Sequence, residues 1–384
     1  MNNRDRLAGL TAALILALGM GFGRFAFTGL YPLMVRDGLL SVNAGSLAAS
    51  ANYAGYLIGA LLLARCPEDQ AARLCRIAVL GTLLGLAAMA LPAPVWFAVG
   101  VRFVAGVLSA MAMVGASVWL LHQMQQHGAA PLMFAGVGFG ILVSAELIAA
   151  GAHGGLGSPG IWLLLAGAGV LPLLFAWSVL GRPAVAAPTQ AKAHAQGTAL
   201  LGPAAVLAIY GLAGFGYIIT ATYLPLLMKG ALGPLDPMQA WAVFGLGAVP
   251  SCFLWHWLHQ RLGARRALAA NLALQALGVM LPALQQSSPA YLASALLVGG
   301  TFMGTATIAM PAARQVASRV RFNMLAAMTA VYGVGQIAGP LASSALYHWS
   351  GSFAPALLVA AVALLLAAAC TWQPARVARA RSPD

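Results

Sequence analysis

The chain has 384 residues, of which 61% are hydrophobic and 7% charged, whereas roughly a quarter of the residues in a soluble globular domain carry charge. That composition excludes an ordinary soluble enzyme. The formal charge of +13 raises nucleic acid as a partner, and the placement of those charges along the chain answers the question.

Charge-poor runs of about 18 residues or more are long enough to cross a bilayer as helices. Taken in order, twelve are predicted: 7–35, 41–64, 74–92, 94–121, 130–152, 159–181, 199–229, 237–260, 264–283, 288–313, 321–348 and 351–373. The first follows Arg4 and Arg6 as a signal peptide would, but it is too long and more runs follow, so it reads as an uncleaved helix. Arg65, Arg73 and Arg76 follow the second run, Arg182 and Lys192 the sixth, Arg261, Arg265 and Arg266 the eighth, Arg314, Arg319 and Arg321 the tenth, and Arg376, Arg379 and Arg381 the twelfth. Only Arg36 and Lys229 fall in the alternate loops. This is the positive-inside bias, which puts both termini in the cytoplasm of a cell whose inner membrane the chain spans. The basic balance is therefore topology and not nucleic-acid binding. Cys66, Cys75, Cys252 and Cys370 form no CxxC pair, so neither disulfides nor a cysteine metal site is expected.

The first run contains "GFGRFAFTGLYPLM" at 21–34, and the seventh contains "GFGYIITATYLPLL" at 214–227. Gly21, Gly23, Pro32 and Leu33 match Gly214, Gly216, Pro225 and Leu226 at one offset. The fifth run contains "AGVGFGI" at 135–141 and the eleventh "YGVGQIA" at 332–338. The expectation is an all-α integral membrane protein of two pseudo-symmetric six-helix bundles, 1–181 and 199–373, with a cytoplasmic linker at 182–198 and a tail at 374–384. Matching segments are separated by an even number of runs, so the halves share one orientation. Parallel repeats of this kind occur in secondary transporters, which bind substrate near the midplane.

Arg102 followed by Gly106 in "RFVAGVLSA" resembles the helix-4 arginine motif of the major facilitator superfamily, and "RLGARR" at 261–266 resembles its basic turn between helices 8 and 9. The equivalent turn in "GALLLARCPEDQAARLCR" keeps Gly59 and Arg65 but lacks the usual Asp-Arg-x-Gly-Arg order. Together with "AASANYAGYLIGALL" and "YGVGQIAGP", the repeated segments resemble the YbfB/YjiJ-type branch of that superfamily. The resemblance implies a twelve-helix transporter in which helices 1 and 4 line a central cavity and helix 5 packs beside them.

Three charges lie deep inside the runs: Arg24, Arg102 and Glu146. A charge near the bilayer centre costs about 2.5–3.5 kcal/mol on insertion scales, so such residues face a cavity or a partner. Counted from the middle of each run they fall at one level, and a single cluster is expected. Arginine suits a carboxylate because its planar guanidinium donates two parallel hydrogen bonds. Glutamate suits proton coupling because desolvation and a nearby cation pull its pKa in opposite directions. The alternative is that Glu146 pairs with one arginine only to hold helices together. No Asp or Glu lies deep in the second half, so an acidic sodium site there is unsupported.

Asn52, Tyr53, Tyr217, Thr220, Thr222, Thr301, Thr305, Tyr332 and Gln336 supply neutral candidates for the cavity wall, a hydrogen bond between packed helices being the preferred reading of the threonines. "GVGFG" at 136–140 has the look of a dinucleotide loop but follows no strand, and reads as helix packing, as does "GYLIG" at 55–59. Pro32 and Pro225 are expected to bend the outer ends of their helices. His256 and His259, beside Trp255 and Trp257, read as an interfacial anchor.

The expected function is proton-coupled secondary transport of a small organic anion by alternating access. Arg24 and Arg102 would hold the negative group, Asn52, Tyr53, Tyr217, Thr220, Tyr332 and Gln336 the rest, and Glu146 with Arg102 would couple the proton. The competing expectation is efflux of amphipathic compounds with structural charges; a membrane enzyme or sensor is the third. The expected partners are substrate, protons and the lipid bilayer. Neither a cofactor nor a metal is expected, no nucleic acid, and the expected state is a monomer.

Overall fold

A computed structural model of the chain describes residues 3–64, 67–181, 201–227, 237–322 and 324–372. The linker expected at 182–198 and the tail at 374–384 lie outside the described residues, with Arg65, Cys66, Arg182, Lys192, His194, Lys229, Arg376, Arg379 and Arg381.

Among the described residues every regular element is helical. The chain enters through α1 (Asn3–Leu16), passes through a π-helical stretch, Ala17–Phe25, and continues as α2 (Ala26–Arg36). There follow α3 (Val42–Leu62), α4 (Ala71–Ala88), α5 (Val95–Val118), α6 (Ala130–His153), α7 (Ser158–Ala168) and α8 (Val170–Leu180). The second half comprises α9 (Pro203–Leu227), α10 (Pro237–Leu284), α11 (Ser288–Val316), α12 (Met324–Ser350) and α13 (Ala354–Cys370).

Within the described residues each of the twelve predicted runs overlaps helix. Among the described residues, eight stretches are long and apolar enough to cross a membrane: Arg6–Arg36, Ala71–Ala88, Val95–Gln123, Ala130–His153, Ser158–Leu180, Pro203–Leu227, Met238–Leu284 and Ser288–Ala313. The eighth and ninth runs are one element, α10, interrupted at Gly263, whose φ of 76° and ψ of 163° break the helix. A positive φ there is open to glycine at little steric cost, which explains the glycine inside the basic "RLGARR" turn. The α13 helix is a shorter apolar one, and α3 is interrupted by polar groups such as Ser46, Ser50 and Asn52, all buried.

Packing repeats between the halves. The α1 helix and the π-helical stretch lie against α6, as α9 lies against α12; α3 lies against α5, as α10 lies against α11. Between halves, α6 packs on α10, α3 on α12 and α2 on α9. Lipid tails are as apolar as leucine, so close van der Waals contact and interhelical hydrogen bonds drive such associations in a membrane. The repeated glycines serve this purpose. A Cβ on Gly21 would lie 2.4 Å from the Gly140 Cα, and one on Gly214 would lie 2.6 Å from the Tyr332 carbonyl oxygen. The "GYLIG" glycines likewise bring α3 onto the backbone of α5 at Phe103 and Val107. Pro32 and Pro225 sit inside α2 and α9 near their C-terminal ends.

Candidate functional site

The π-helical stretch places Arg24. At its end the Ala26 amide reaches back to the Gly21 carbonyl, five residues earlier. Where such a stretch returns to α-helix the backbone ladder changes register, and π-segments are frequent at functional sites. Arg102, on α5, meets the backbone there: its Nη1 donates to the Gly23 carbonyl at 2.7 Å and its Nη2 to the Arg24 carbonyl at 2.8 Å. Its guanidinium also lies 4.5 Å from the Phe27 ring centroid. Both terminal nitrogens of Arg102 are thus occupied by protein.

Arg24 differs. It is 3% exposed, and its guanidinium lies 4.2 Å from the Tyr56 ring centroid, 4.9 Å from that of Tyr53 and 5.4 Å from that of Phe25. These rings engage the cation through their faces. Its Nε and Nη2 are buried without a hydrogen-bond partner. Their hydrogens point the same way along one edge of the guanidinium, which is the geometry that grips a carboxylate with two parallel bonds.

Residues from the second half complete the surroundings. The Tyr53 hydroxyl is 3.0 Å from Thr222 Oγ1. The Tyr217 hydroxyl is hydrogen-bonded to Tyr332 and accepts from Gln336 Nε2, and Arg24 lies within electrostatic reach of Tyr217 and Tyr332. Tyr217 stacks on Tyr332 at 5.8 Å and on Phe302 at 5.6 Å, and Tyr332 stacks on Tyr210 at 4.5 Å. Phe25 meets Phe302 edge-on at 6.0 Å. Gln336 Oε1 and Thr220 Oγ1 are buried without partners.

The three-charge cluster expected from the sequence takes another form. Arg24 and Arg102 do meet on one stretch of backbone, but Glu146 is exposed on α6, and the ion pair observed among the described residues is Arg36–Asp37, at 2.8 Å. The reason is helical phase. Ser144, Ala145, Ile148 and Ala149 turn into the bundle, whereas Phe139, Glu146 and Ala150 form an exposed stripe. Depth along a helix can be counted from sequence, but not which way the side chain points.

Asn52 also has a packing role, its Nδ2 donating to the Arg102 carbonyl at 2.8 Å and so joining α3 to α5. Thr301 and Thr305 behave as packing residues: Asn271 donates to the Thr301 carbonyl at 3.0 Å, and Thr305 Oγ1 donates to Asn271 Oδ1 at 2.7 Å. Trp255 is buried, donating to the Gly300 carbonyl at 2.7 Å, so it joins α10 to α11 and is no interfacial anchor. Trp257, under Arg261, is exposed. Sequence reasoning missed Tyr56, Phe25 and Phe302. Tyr56 carried a signal, since Tyr53 and Tyr56 are three residues apart and share a helix face.

Helices of this length and apolarity, repeated along the chain, define a multi-pass membrane protein. The family model described as an uncharacterised MFS-type transporter, YbfB, matches residues 16–371, and the chain belongs to that family. It is accordingly a membrane transporter of the major facilitator superfamily rather than a member of an enzyme family, and the resemblance to the YbfB-type branch holds. No curated protein matches it.

Proposed function

We propose that the protein is a secondary active transporter that moves a small organic anion across the inner membrane by alternating access, as a monomer. In this reading the twelve helical segments cross as two six-helix bundles, residues 1–181 and 199–373. The linker 182–198, the tail 374–384 and both termini are cytoplasmic. The repeated packing of the two halves and the charge asymmetry of the loops support that arrangement.

The observation that carries the substrate charge is the open edge of Arg24. A buried guanidinium with two unpartnered donors is costly unless something accepts from them, and an anionic oxygen pair fits. Arg102 contributes by holding the backbone that carries Arg24, and Asn52 by holding α5. Tyr53, Tyr217, Thr220, Tyr332 and Gln336 line the site from both halves, so its occupation is linked to how the halves meet. The efflux alternative treats both buried charges as structural, which suits Arg102 and not Arg24. For proton coupling the sequence offers Glu146, the only acid deep in a helix. We propose it as the coupling acid acting from the exposed face of α6, not by ion pairing with Arg24.

The test is counterflow of organic anions in proteoliposomes. Arg24→Gln should abolish transport and Arg24→Lys should retain a few per cent, because a lysine keeps the charge but loses the two-pronged geometry. Glu146→Gln should leave exchange running while removing the dependence of net uptake on a pH gradient. Transport by Arg24→Gln equal to that of wild type would sink the anion reading. A pH-gradient response that survives Glu146→Gln would remove Glu146 from coupling.

A further inference from the structure

We infer that the Arg24 site takes an aromatic monocarboxylate carrying a hydrogen-bond donor such as a hydroxyl on its ring. The inference rests on the anion-transport reading and narrows it by three features of the site.

The first is charge count. Among the described residues, Arg24 and Arg102 are the buried cations, and both terminal nitrogens of Arg102 are taken by the carbonyls of Gly23 and Arg24. Arg102 keeps only its Nε unpartnered, whereas Arg24 keeps Nε and Nη2 together, so a single two-donor edge is free, which matches one carboxylate. Arg102 keeps its positive charge, but a second carboxylate, or the further oxygens of a phosphate dianion, would find no second guanidinium edge to accept from and would be buried short of hydrogen bonds. A free amino acid would bring an ammonium toward the positive charge of Arg24, while Glu146 is exposed elsewhere on α6 and offers it no counter-ion.

The second is the wall chemistry. Phe25 comes from the first half, Tyr217, Phe302 and Tyr332 from the second, with ring separations of 6.0, 5.6 and 5.8 Å. These exceed the 4.5 Å between Tyr210 and Tyr332. One edge-on and two offset-stacked ring pairs beside a carboxylate clamp favour a flat apolar body, which can replace one of these contacts when the halves part. An aliphatic acid loses the ring-to-ring geometry that aromatic pairs gain beyond area burial.

The third is the orphaned acceptor. Gln336 is 1% exposed and its Nε2 is committed to Tyr217, leaving Oε1 buried without a partner. An acceptor in that condition gains from a ligand O–H or N–H. Tyr217, bonded to Gln336 and within electrostatic reach of Arg24, links clamp and acceptor to the same ring cluster.

The experiment measures dissociation constants by calorimetry on the purified full chain with benzoate, 3- and 4-hydroxybenzoate, cyclohexanecarboxylate and succinate. The better hydroxybenzoate should bind about fivefold tighter than benzoate, and benzoate about fivefold tighter than cyclohexanecarboxylate. Succinate should not compete. Gln336→Leu should bring the hydroxybenzoate-to-benzoate ratio close to one. Cyclohexanecarboxylate or succinate binding as tightly as benzoate, with every acid weakened by Arg24→Lys, overturns the aromatic class and leaves the anion reading standing. Hydroxybenzoates no tighter than benzoate overturn the donor requirement. Binding of hydrophobic cations but none of the acids overturns both readings; the wild-type series decides this without any variant having to fold.

Discussion

At Arg102, bonds of 2.7 and 2.8 Å to the carbonyls of Gly23 and Arg24 anchor the backbone where the π-helical stretch gives way to α2. Hydrogen bonds to charged groups contribute about 1.5–3 kcal/mol each, and losing a partner inside a membrane leaves the carbonyls with nothing else to accept from. We expect Arg102→Gln to cost about 3 kcal/mol of stability, read as a lower melting temperature in detergent. Transport should fall as well, because Arg24 loses its fixed backbone. A variant that melts like the wild type would show that α2 and α6 hold the stretch without it. Both arginines were evident in the sequence as buried charges. That one is consumed by the backbone while the other presents an open edge follows from the π-stretch, which spacing alone does not announce.

At the scale of elements, the join between α2 and α7 rests on a single carboxylate. Asp37 Oδ2 accepts from the Ser158 amide at 2.7 Å, at the start of α7, while Oδ1 accepts from Arg36 Nε at 2.8 Å. A carboxylate is favoured there because the first amides of a helix are unpaired and carry the positive end of its dipole. Partial burial pushes the Asp37 carboxyl upward, but the bonds from Ser158 and Arg36 outweigh it and hold it below its usual value. The group is therefore more acidic folded than unfolded. Its stabilisation is present above the unfolded value, about 3.9, and is lost as pH falls through the lower folded one. Asp37→Asn should melt below wild type at neutral pH, with the gap closing below pH of about 4; a gap that persists in acid would mean the carboxylate charge is not what holds α7. The helical runs were legible because apolar runs and breaker residues are local signals. This join was not, since Asp37 and Ser158 are 121 residues apart.

For the whole molecule, hydrogen bonds between halves gather at the end where α2 finishes and α3 begins. Thr28 Oγ1 donates to the Ala221 carbonyl at 2.8 Å, and Ser46 Oγ lies 2.7 Å from the Tyr223 hydroxyl, which within the second half donates to the Pro340 carbonyl at 3.1 Å. At the rim, Asn43 Oδ1 accepts from Ser344 Oγ at 3.0 Å and pairs with His348 Nε2 at 2.9 Å, which requires the proton on that nitrogen. If the protein works by alternating access, as proposed above, this end parts during each cycle. In a background with the native cysteines replaced, Asn43→Cys with Ser344→Cys should cross-link through a short bis-methanethiosulfonate reagent, which joins each thiol by a disulfide with sulfinate as leaving group. Transport should fall to background and recover on reductive cleavage; full transport by the cross-linked protein would show that the two halves do not separate here.

Sequence by itself determined the helical membrane character, the repeat of the first helix in the seventh, and the presence of a buried arginine where the repeat carries Tyr217. These are written in composition, period and string similarity, all of which are properties of neighbours along the chain. Tertiary structure alone decided that Arg102 serves the backbone, that Glu146 turns away from the arginines, and that Tyr53 and Tyr56 cover the face of Arg24 while its edge stays open. Each of these depends on the phase of one helix against another, and a π-helical stretch of nine residues, Ala17–Phe25, resets that phase at the site itself.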